Sequence, residues 1–457
     1  MKIRVVTTAS KARAVQIVRY QNNKRSILQH IGSAHTDAEL QELMVLAAEW
    51  IKDYSKQLSV FPDESPNRLL HLNHCTFIGV QYRYFHQLIT FIQDKMGLGG
   101  LAPLLNDLVI VRIFEPASKL RSLELTERYF GIKHSRKTYY KIAPQCIELK
   151  ETVESKVVNF AKAYYSFNFD IVFYDVTTLY FETFEEDELR RNGFSKDNKS
   201  QQPQILVALM VTKEGFPIAY EIFSGNTFEG HTIIAVIKDF IRRNCVKEFT
   251  VVADAAMISS ENIAQLTQHS INYIVGARMG NLSADLLELV DKQIDRQDGR
   301  SMRIKTELGY LICSYSAVRY RKDLYEMNKQ IEKAKQVIEA PSKNRKQKFT
   351  RTNQQQLELN EELIEKTKKL LGIKGYYTNL EEQIADNKII IERYHELHRI
   401  EQAFRVSKSD LETRPIFHFK DQPIKLHILI CFMALAISKH IEIKAGVSIR
   451  KFLDETK

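Results

Sequence analysis

Five apolar runs of strand length fall between Asp170 and Ala277, and their order restricts the fold more than anything else in the chain. They read DIVFYDV, QILVALMVT, PIAYEIFSG, FTVVADA and INYIVGA. All are rich in the β-branched and aromatic residues that suit a pleated sheet. KEGFP, from Lys213 to Pro217, joins the second run to the third as a hairpin turn. HTIIAVIKDFIRRN separates the third from the fourth with a helical period, and a shorter helix separates the fourth from the fifth. Three meandering strands followed by α/β alternation imply an α/β fold: a mixed five-stranded sheet with flanking helices.

Two of these runs carry an aspartate where charge is costly to bury. Asp175 interrupts FDIVFYDVTTLYFE and Asp254 closes FTVVADA. Both are read as strand ends leading to an open rim. One reading is an aspartate satisfied by a turn. The other is a pair of carboxylates from neighbouring strands that hold divalent metal. Mg²⁺ prefers hard oxygen ligands and takes only one or two protein carboxylates, and a two-metal site can serve both the attacking and the leaving oxygen. Thr177 and Thr178 follow the first aspartate, either positioning it or packing as β-branched strand residues. SGNTFEGH, with Asn226, Glu229 and His231, lies at the same rim, as part of a site or as a loop that caps a helix.

A third carboxylate must come from elsewhere. DNKIIIERYHELHRIEQAFRVSKSDL reads as one long helix, capped by Asp386 or Asn387, with an apolar stripe at Ile391, Leu397, Ile400 and Phe404. It and the residues after it offer Glu392, Glu396, Glu401 and Glu412. Tyr394, Glu401 and Lys408 recur every seven residues and share a face, with Arg405 four after Glu401. On spacing alone Glu401 is either a site residue or half of a surface ion pair with Arg405.

The flanks divide around this core. Residues 1–60 form a small β-rich cap, with KIRVVTT, AVQIVRYQNN and KRSILQHIG before the helix DAELQELMVLAAEWIKDYSKQL. Residues 61–165 are helical. Ser118 can cap SKLRSLELTERYFG, which Gly131 stops, and Ser135 can cap SRKTYYKI. That pair is a plain helical hairpin or a DNA-binding helix-turn-helix, with Arg136 and Lys137 leading its second helix. The first part of the core spans 166–280 and the second part 376–457. Between them, 281–375 reads as a largely helical insertion built from DLYEMNKQIEKAKQVIEA and QQQLELNEELIEKTKKLLG, with some strand around GYLICSYSAVRYRK. PSKNRKQKFTR would be its basic tip, with five cations and no acid.

Charge and cysteines narrow the function. Sixty-six Lys and Arg against 56 Asp and Glu give +10 and a pI near 9.1, which favours a polyanionic partner, nucleic acid before membrane surface. Five cysteines without a CxxC argue for a reducing compartment and against a disulfide framework. His71, His74 and Cys75 lack a second ligand pair for zinc. The N-terminus has no signal-peptide pattern, and ILICFMALAI is too short to cross a bilayer and reads as a buried helix. A cytoplasmic protein without membrane attachment is expected.

Four stretches in order carry a family likeness. They are YDVTTLYFE; GFSKDNKSQQPQILVALMVTKEGFPIAYEIFSGNTFEGHT; VVADAAMISSENI; and YHELHRIEQAFRVSKSDLETRPIFH. Over roughly 75–445 the chain resembles the DDE transposases of bacterial insertion sequences, in the branch marked by a Y-x2-R-x3-E-x6-K motif. The resemblance implies a ribonuclease-H-like catalytic core with Asp175, Asp254 and Glu401 as the catalytic triad holding two Mg²⁺ or Mn²⁺ ions. It puts the motif's tyrosine on Tyr394 and its lysine on Lys408. Tyr394, Arg405 and Lys408 would face DNA, with Arg136 and Lys137 as further DNA contacts. The motif's arginine position is Leu397, a departure for which Arg399 or Arg405 could substitute. The implied partners are double-stranded DNA, as terminal inverted repeats and as target, and a second copy of the chain in a synaptic homodimer. The implied setting is the bacterial nucleoid. The alternative from a different class is a DNA-binding derivative that has lost catalysis, and Leu397 is the feature that favours it.

Overall fold

A computed structural model describes residues 1–21, 24–55, 79–193, 201–257, 259–339, 347–353 and 356–457. His71, His74 and Cys75, most of the basic PSKNRKQKFTR tip, the Asn22–Asn23 turn and part of GFSKDNKS lie outside the described residues. The chain divides into two compact units, 1–79 and 80–457.

The first unit is an antiparallel sheet of β1 (Lys2–Thr7), β2 (Arg13–Gln21) and β3 (Lys24–Ala34), followed by α1 (Asp37–Ser55). Val15 and Ile17 of β2 are buried with Ala47 of α1, and Leu43 and Trp50 pack against them. The alternation in AVQIV supplies that apolar face.

The second unit begins with five helices: α2 (Arg83–Lys95), α3 (Pro103–Phe114), α4 (Lys119–Phe130), α5 (Arg136–Ile147) and α6 (Lys150–Tyr165). α3 is buried from Leu104 to Phe114, with Asn106, Asp107 and Arg112 enclosed among its apolar residues. The Ser118 hydroxyl accepts from Arg121 N to start α4, and Gly131 ends it with φ 72°, the left-handed region where glycine carries no steric cost. Ser135 accepts from Thr138 N to start α5.

The sheet comes next: β4 (Val172–Tyr180), β5 (Gln204–Val211), β6 (Pro217–Ser224), α7 (Thr232–Asn244), β7 (Thr250–Ala253), α8 (Ser260–Gln268), β8 (Asn272–Gly276) and α9 (Ala284–Gln293). Then follow β9 (Ser301–Thr306), β10 (Gly309–Tyr315), α10 (Ala317–Glu339), β11 (Thr350–Asn353), β12 (Gln356–Leu359), α11 (Glu361–Lys369) and β13 (Ile373–Thr378). The main sheet has eight strands in the order β6-β5-β4-β7-β8-β13-β10-β9, and not the expected five. Its first five are the five apolar runs, with β4, β6, β7 and β8 running in one direction and β5 antiparallel to them. The other three come from the segment read as a largely helical insertion. They are short, and β10 pairs with β13 only after a long excursion of the chain, so no local period announces the pairing. Gly375 also breaks the apolar pattern of β13. A side chain there would run into Met279 Sδ and crowd Ala277 Cβ, so a larger residue would have to displace the methionine.

Two further expectations change. QQQLELNEELIEKTKKLLG is not helical throughout: its QLEL forms β12 in a hairpin with β11, and only α11 is helical. The long C-terminal helix is broken into α12 (Asn387–His395) and α13 (His398–Arg405), followed by one π-helical turn over Val406–Asp410. At the break the backbone tightens, with Leu397 N donating to Tyr394 O and Ile400 N to Leu397 O. Asp386 is the cap of α12, accepting from Ile389 N.

α14 (Asp421–Ala445) and α15 (Ile449–Thr456) close the chain. α14 is long and apolar enough to span a membrane, with mean hydropathy 1.7, but 89% of that stretch is buried inside the protein, where it packs on α3, α5 and β6. It is a core helix.

Candidate active site

β4 and β7 run parallel, with Tyr174 opposite Ala253. The next residue on each strand is an aspartate, so register alone sets Asp175 beside Asp254. Asp254 follows the last residue of β7. Asp175 does not end its strand: β4 runs on to Tyr180, paired only with β5. The sheet itself opens at this point, because β7 stops while β4 and β5 continue. That split leaves a rim on which both carboxylates stand. Each is oriented by a backbone N–H next to it: Val176 N donates to Asp175 Oδ1 at 2.8 Å, and Ala255 N to Asp254 Oδ1 at 2.6 Å.

α13 lies against β4 and β5 and brings Glu401 to the same rim. Asp175, Thr177, Glu401, Arg405, Lys408 and Arg414 line one open groove of about 430 Å³. Of the four glutamates offered by the sequence, Glu401 alone lines it. The π turn, closed by Leu411 N donating to Val406 O, carries Lys408 into the same groove. Inserted turns of this kind recur at functional sites.

Tyr394, on α12, reaches the second aspartate. Its buried ring brings Oη to 3.2 Å from Asp254 Oδ1, to which it donates. Burial, and then the Asp254 charge, push the phenol well above its usual pKa, so it stays a donor through the alkaline range. Gly276 at the end of β8 makes room for this ring. A Cβ there would fall inside contact distance of Tyr394 Oη and 3.2 Å from Ala255 Cβ. Tyr376 of β13 meets Tyr394 edge-on at 4.9 Å between centroids.

Lys374 joins this neighbourhood with no motif in the sequence to announce it. It stands on β13 with Nζ 4.7 Å from the Tyr394 ring centroid, in the cavity that Asp254 also lines. Burial and then Arg319 lower its pKa, while the charges of Asp254 and Glu401 raise it. Asp254, Glu401 and Lys374 thus share one electrostatic neighbourhood. Only the unexpected pairing of β13 with β8 puts the lysine there, so an extended reading of IKGYYT was the one signal that could have found it.

Leu397 belongs to the buried core, so that motif position offers no cation to the groove. Arg405 stands in the groove beside Glu401. Arg399 backs onto the KEGFP turn, close to Gly215 (φ 80°). Arg136 and Lys137 are exposed at the start of α5 and do not line this groove. Thr178 is buried on the opposite side of β4 from Asp175 and Thr177. There it faces Asn226 and Glu229 across a separate cleft, so the SGNTFEGH loop does not line the groove. Among the described residues, no three His, Cys, Asp or Glu side chains stand close enough to hold a metal as placed. The donor set on the rim is nonetheless all carboxylate oxygen, which suits a hard divalent cation that asks for one or two protein ligands.

Residues 167–437 match the Transposase DDE domain family. No curated protein matches the chain in sequence. Among solved structures, the piggyBac transposase synaptic complex with hairpin DNA is similar at 11% identity and TM-score 0.39, covering 82% of this chain and 69% of that one. The Mos1 transposase paired-end complex with left transposon end is similar at 13% identity and TM-score 0.18, covering 52% of this chain and 72% of that one. Neither superposition is close enough to bear on function. The family match takes in more than half of the sequence, from just ahead of β4 to most of the way along α14, and the chain therefore belongs to the Transposase DDE domain family.

Proposed function

We propose that this chain is a DNA transposase that cuts phosphodiester bonds at the ends of an insertion sequence and joins them to target DNA, with Asp175, Asp254 and Glu401 as its catalytic carboxylates. The observation that carries the reading is the parallel register of β4 and β7. It sets two aspartates side by side on a rim that α13 furnishes with a glutamate. The order of β4–β8 agrees with a ribonuclease-H-like core. Divalent cations, Mg²⁺ or Mn²⁺, would be held by Asp175, Asp254 and Glu401. When bound they supply the means to activate an attacking oxygen and to stabilise a leaving one. The chain's own residues orient the rest. Tyr394 fixes the Asp254 carboxylate by its hydrogen bond. Arg405 and Lys408 meet the negative phosphate backbone, with Arg405 in place of the motif arginine that Leu397 lacks. Arg136 and Lys137 of α5 contact duplex DNA away from the cut, in terminal inverted repeats. A homodimer assembled on two such ends, acting on cytoplasmic DNA in a bacterial cell, completes the reading.

The test is nicking of supercoiled DNA that carries the flanking ends. Wild-type protein with Mg²⁺ nicks it, chelation stops the reaction, and Asp254→Ala leaves only background while still retarding the DNA. Equal nicking by wild type and variant ends the catalytic reading. DNA retention without nicking by either protein would favour the non-catalytic derivative that the buried Leu397 suggests.

A further inference from the structure

Outside the rim, α3, α4, α5 and the start of α14 enclose a cleft of about 440 Å³, within the range that holds small ligands. Its floor is cationic and nearly dry. Arg112 is 4% exposed and Lys119 3%, with His427 buried beside them. Among the described residues no carboxylate pairs with either charge; Glu412 also lines the cleft but is exposed. Lys119 Nζ has one described partner, His427 Nδ1 at 3.2 Å, and His427 Nε2 is in turn directed at Thr413 O. The imidazole is thereby fixed as neutral, an acceptor toward the lysine. Arg112 donates from its outer nitrogens to the carbonyls of Ala117 and Leu411, and its Nε is buried without a partner among the described residues. Two buried cations side by side, one with an unused donor, form an arrangement that proteins rarely keep without a counter-charge. Burial, and then the Arg112 charge, drive the Lys119 pKa well below its usual value, a penalty that an incoming anion would reverse.

The walls differ from the floor. Tyr140 and Phe417 line the cleft with aromatic side chains that are 60% and 62% exposed. Tyr139 meets Tyr140 edge-on, 5.2 Å between centroids, and stiffens that wall. A flat ring resting on exposed aromatics above a cationic floor is the shape of a nucleotide. Arg414 lines both this cleft and the groove that holds Asp175 and Glu401, so the two are neighbours.

We propose that this cleft binds a nucleoside monophosphate unit, its phosphate on Arg112 and Lys119 and its base against Tyr140 and Phe417. The site stands apart from the catalytic carboxylates and does not depend on their assignment. The unit can come from two sources, a free nucleotide or the 5′-phosphorylated terminal nucleotide of a DNA strand, and both present the same chemistry.

Titration of the full-length protein with thymidine 5′-monophosphate, followed by tyrosine fluorescence and calorimetry, tests the free source. Short DNA with a one-nucleotide overhang, bearing either a 5′-phosphate or a 5′-hydroxyl, tests the other. Lys119→Met removes the buried ammonium without leaving a buried carboxylate behind. Tyr140→Ala, at an exposed position, cannot unfold the core. Expected is saturable binding of the free nucleotide, or a preference for the 5′-phosphorylated overhang, that falls about tenfold in Lys119→Met, the size of one lost charge-assisted contact. Tyr140→Ala should weaken nucleotide binding while leaving inorganic phosphate binding unchanged. Binding of neither source, or equal binding by wild type and Lys119→Met, overturns the proposal and leaves Lys119 as a core lysine.

Discussion

The hydrogen bond from Tyr394 to Asp254 offers a sharp test of how the rim works. Tyr394→Phe removes one oxygen and keeps the buried ring against Tyr376, so the fold should persist. A hydrogen bond to a charged group contributes about 1.5–3 kcal/mol. This one is 3.2 Å long and its acceptor is exposed, so the lower edge applies, about 1–1.5 kcal/mol. If that energy holds Asp254 in its working orientation, single-turnover nicking slows about five- to tenfold, with DNA affinity unchanged. Gly276→Ala attacks the same contact from behind, because its methyl would collide with Tyr394 Oη and Ala255. It should slow nicking at least as much. The double variant, in which the hydroxyl is already gone, should be less impaired than the two separate losses multiplied together, as expected of residues in contact. A wild-type nicking rate in Tyr394→Phe refutes the orienting role. Strict multiplication in the double variant would show that Gly276 acts by another route.

Other predictions address the cations and the core. Arg405→Ala should weaken DNA binding and lower its salt slope by about one contact, whereas Arg399→Ala should leave the slope alone; identical behaviour of the two would remove Arg405 from the phosphate path. Arg136→Ala with Lys137→Ala should lower the slope by about two contacts without changing the rate of nicking once DNA is saturating, and an unchanged slope would return α5 to a plain scaffold helix. Acid should unfold the second unit early. Burial, and then Lys119 and Arg112, pull His418 down to about 4, while burial, and then Lys444 and Lys95, pull His440 down to about 4, against 6.5 for the unfolded residue. Between pH 6.5 and 4 the unfolded chain therefore binds more protons, and stability is lost as the pH falls through that window. The Tm should drop across it and drop less in His440→Gln, while a flat Tm would contradict the burial of both rings.

What could be read from the sequence divides by the range of the physics involved. The five strands of the first half declare themselves because each is a continuous apolar run, and the caps at Ser118, Ser135 and Asp386 because a side-chain oxygen before a helical period has one common use. Asp175 and Asp254 could be singled out since each breaks an apolar run, yet their adjacency comes from strand register, which the sequence does not carry. The heptad spacing of Tyr394, Glu401 and Lys408 picks out side chains that the structure does bring to the rim, though for an incomplete reason. The helix is broken at Leu397 and loosened after Arg405, and the three reach the rim by separate local bends. Lys374 and β13 were missed because the partners of that strand lie far along the chain, and β9 because SMRIKT is short and weakly apolar.

The seam between β8 and β13 also sets a timetable for synthesis. β8 is finished when Gly276 leaves the ribosome, but the strand that covers its free side begins only at Ile373. At about 5–20 residues per second, those roughly 100 residues take on the order of 5–20 seconds, during which a parallel, apolar strand presents an uncovered edge. The helix that delivers Glu401 emerges later still. A nascent chain therefore carries both aspartates on a half-built sheet, and the rim that Asp175, Asp254 and Glu401 share exists only after the segment that seals the sheet has been made.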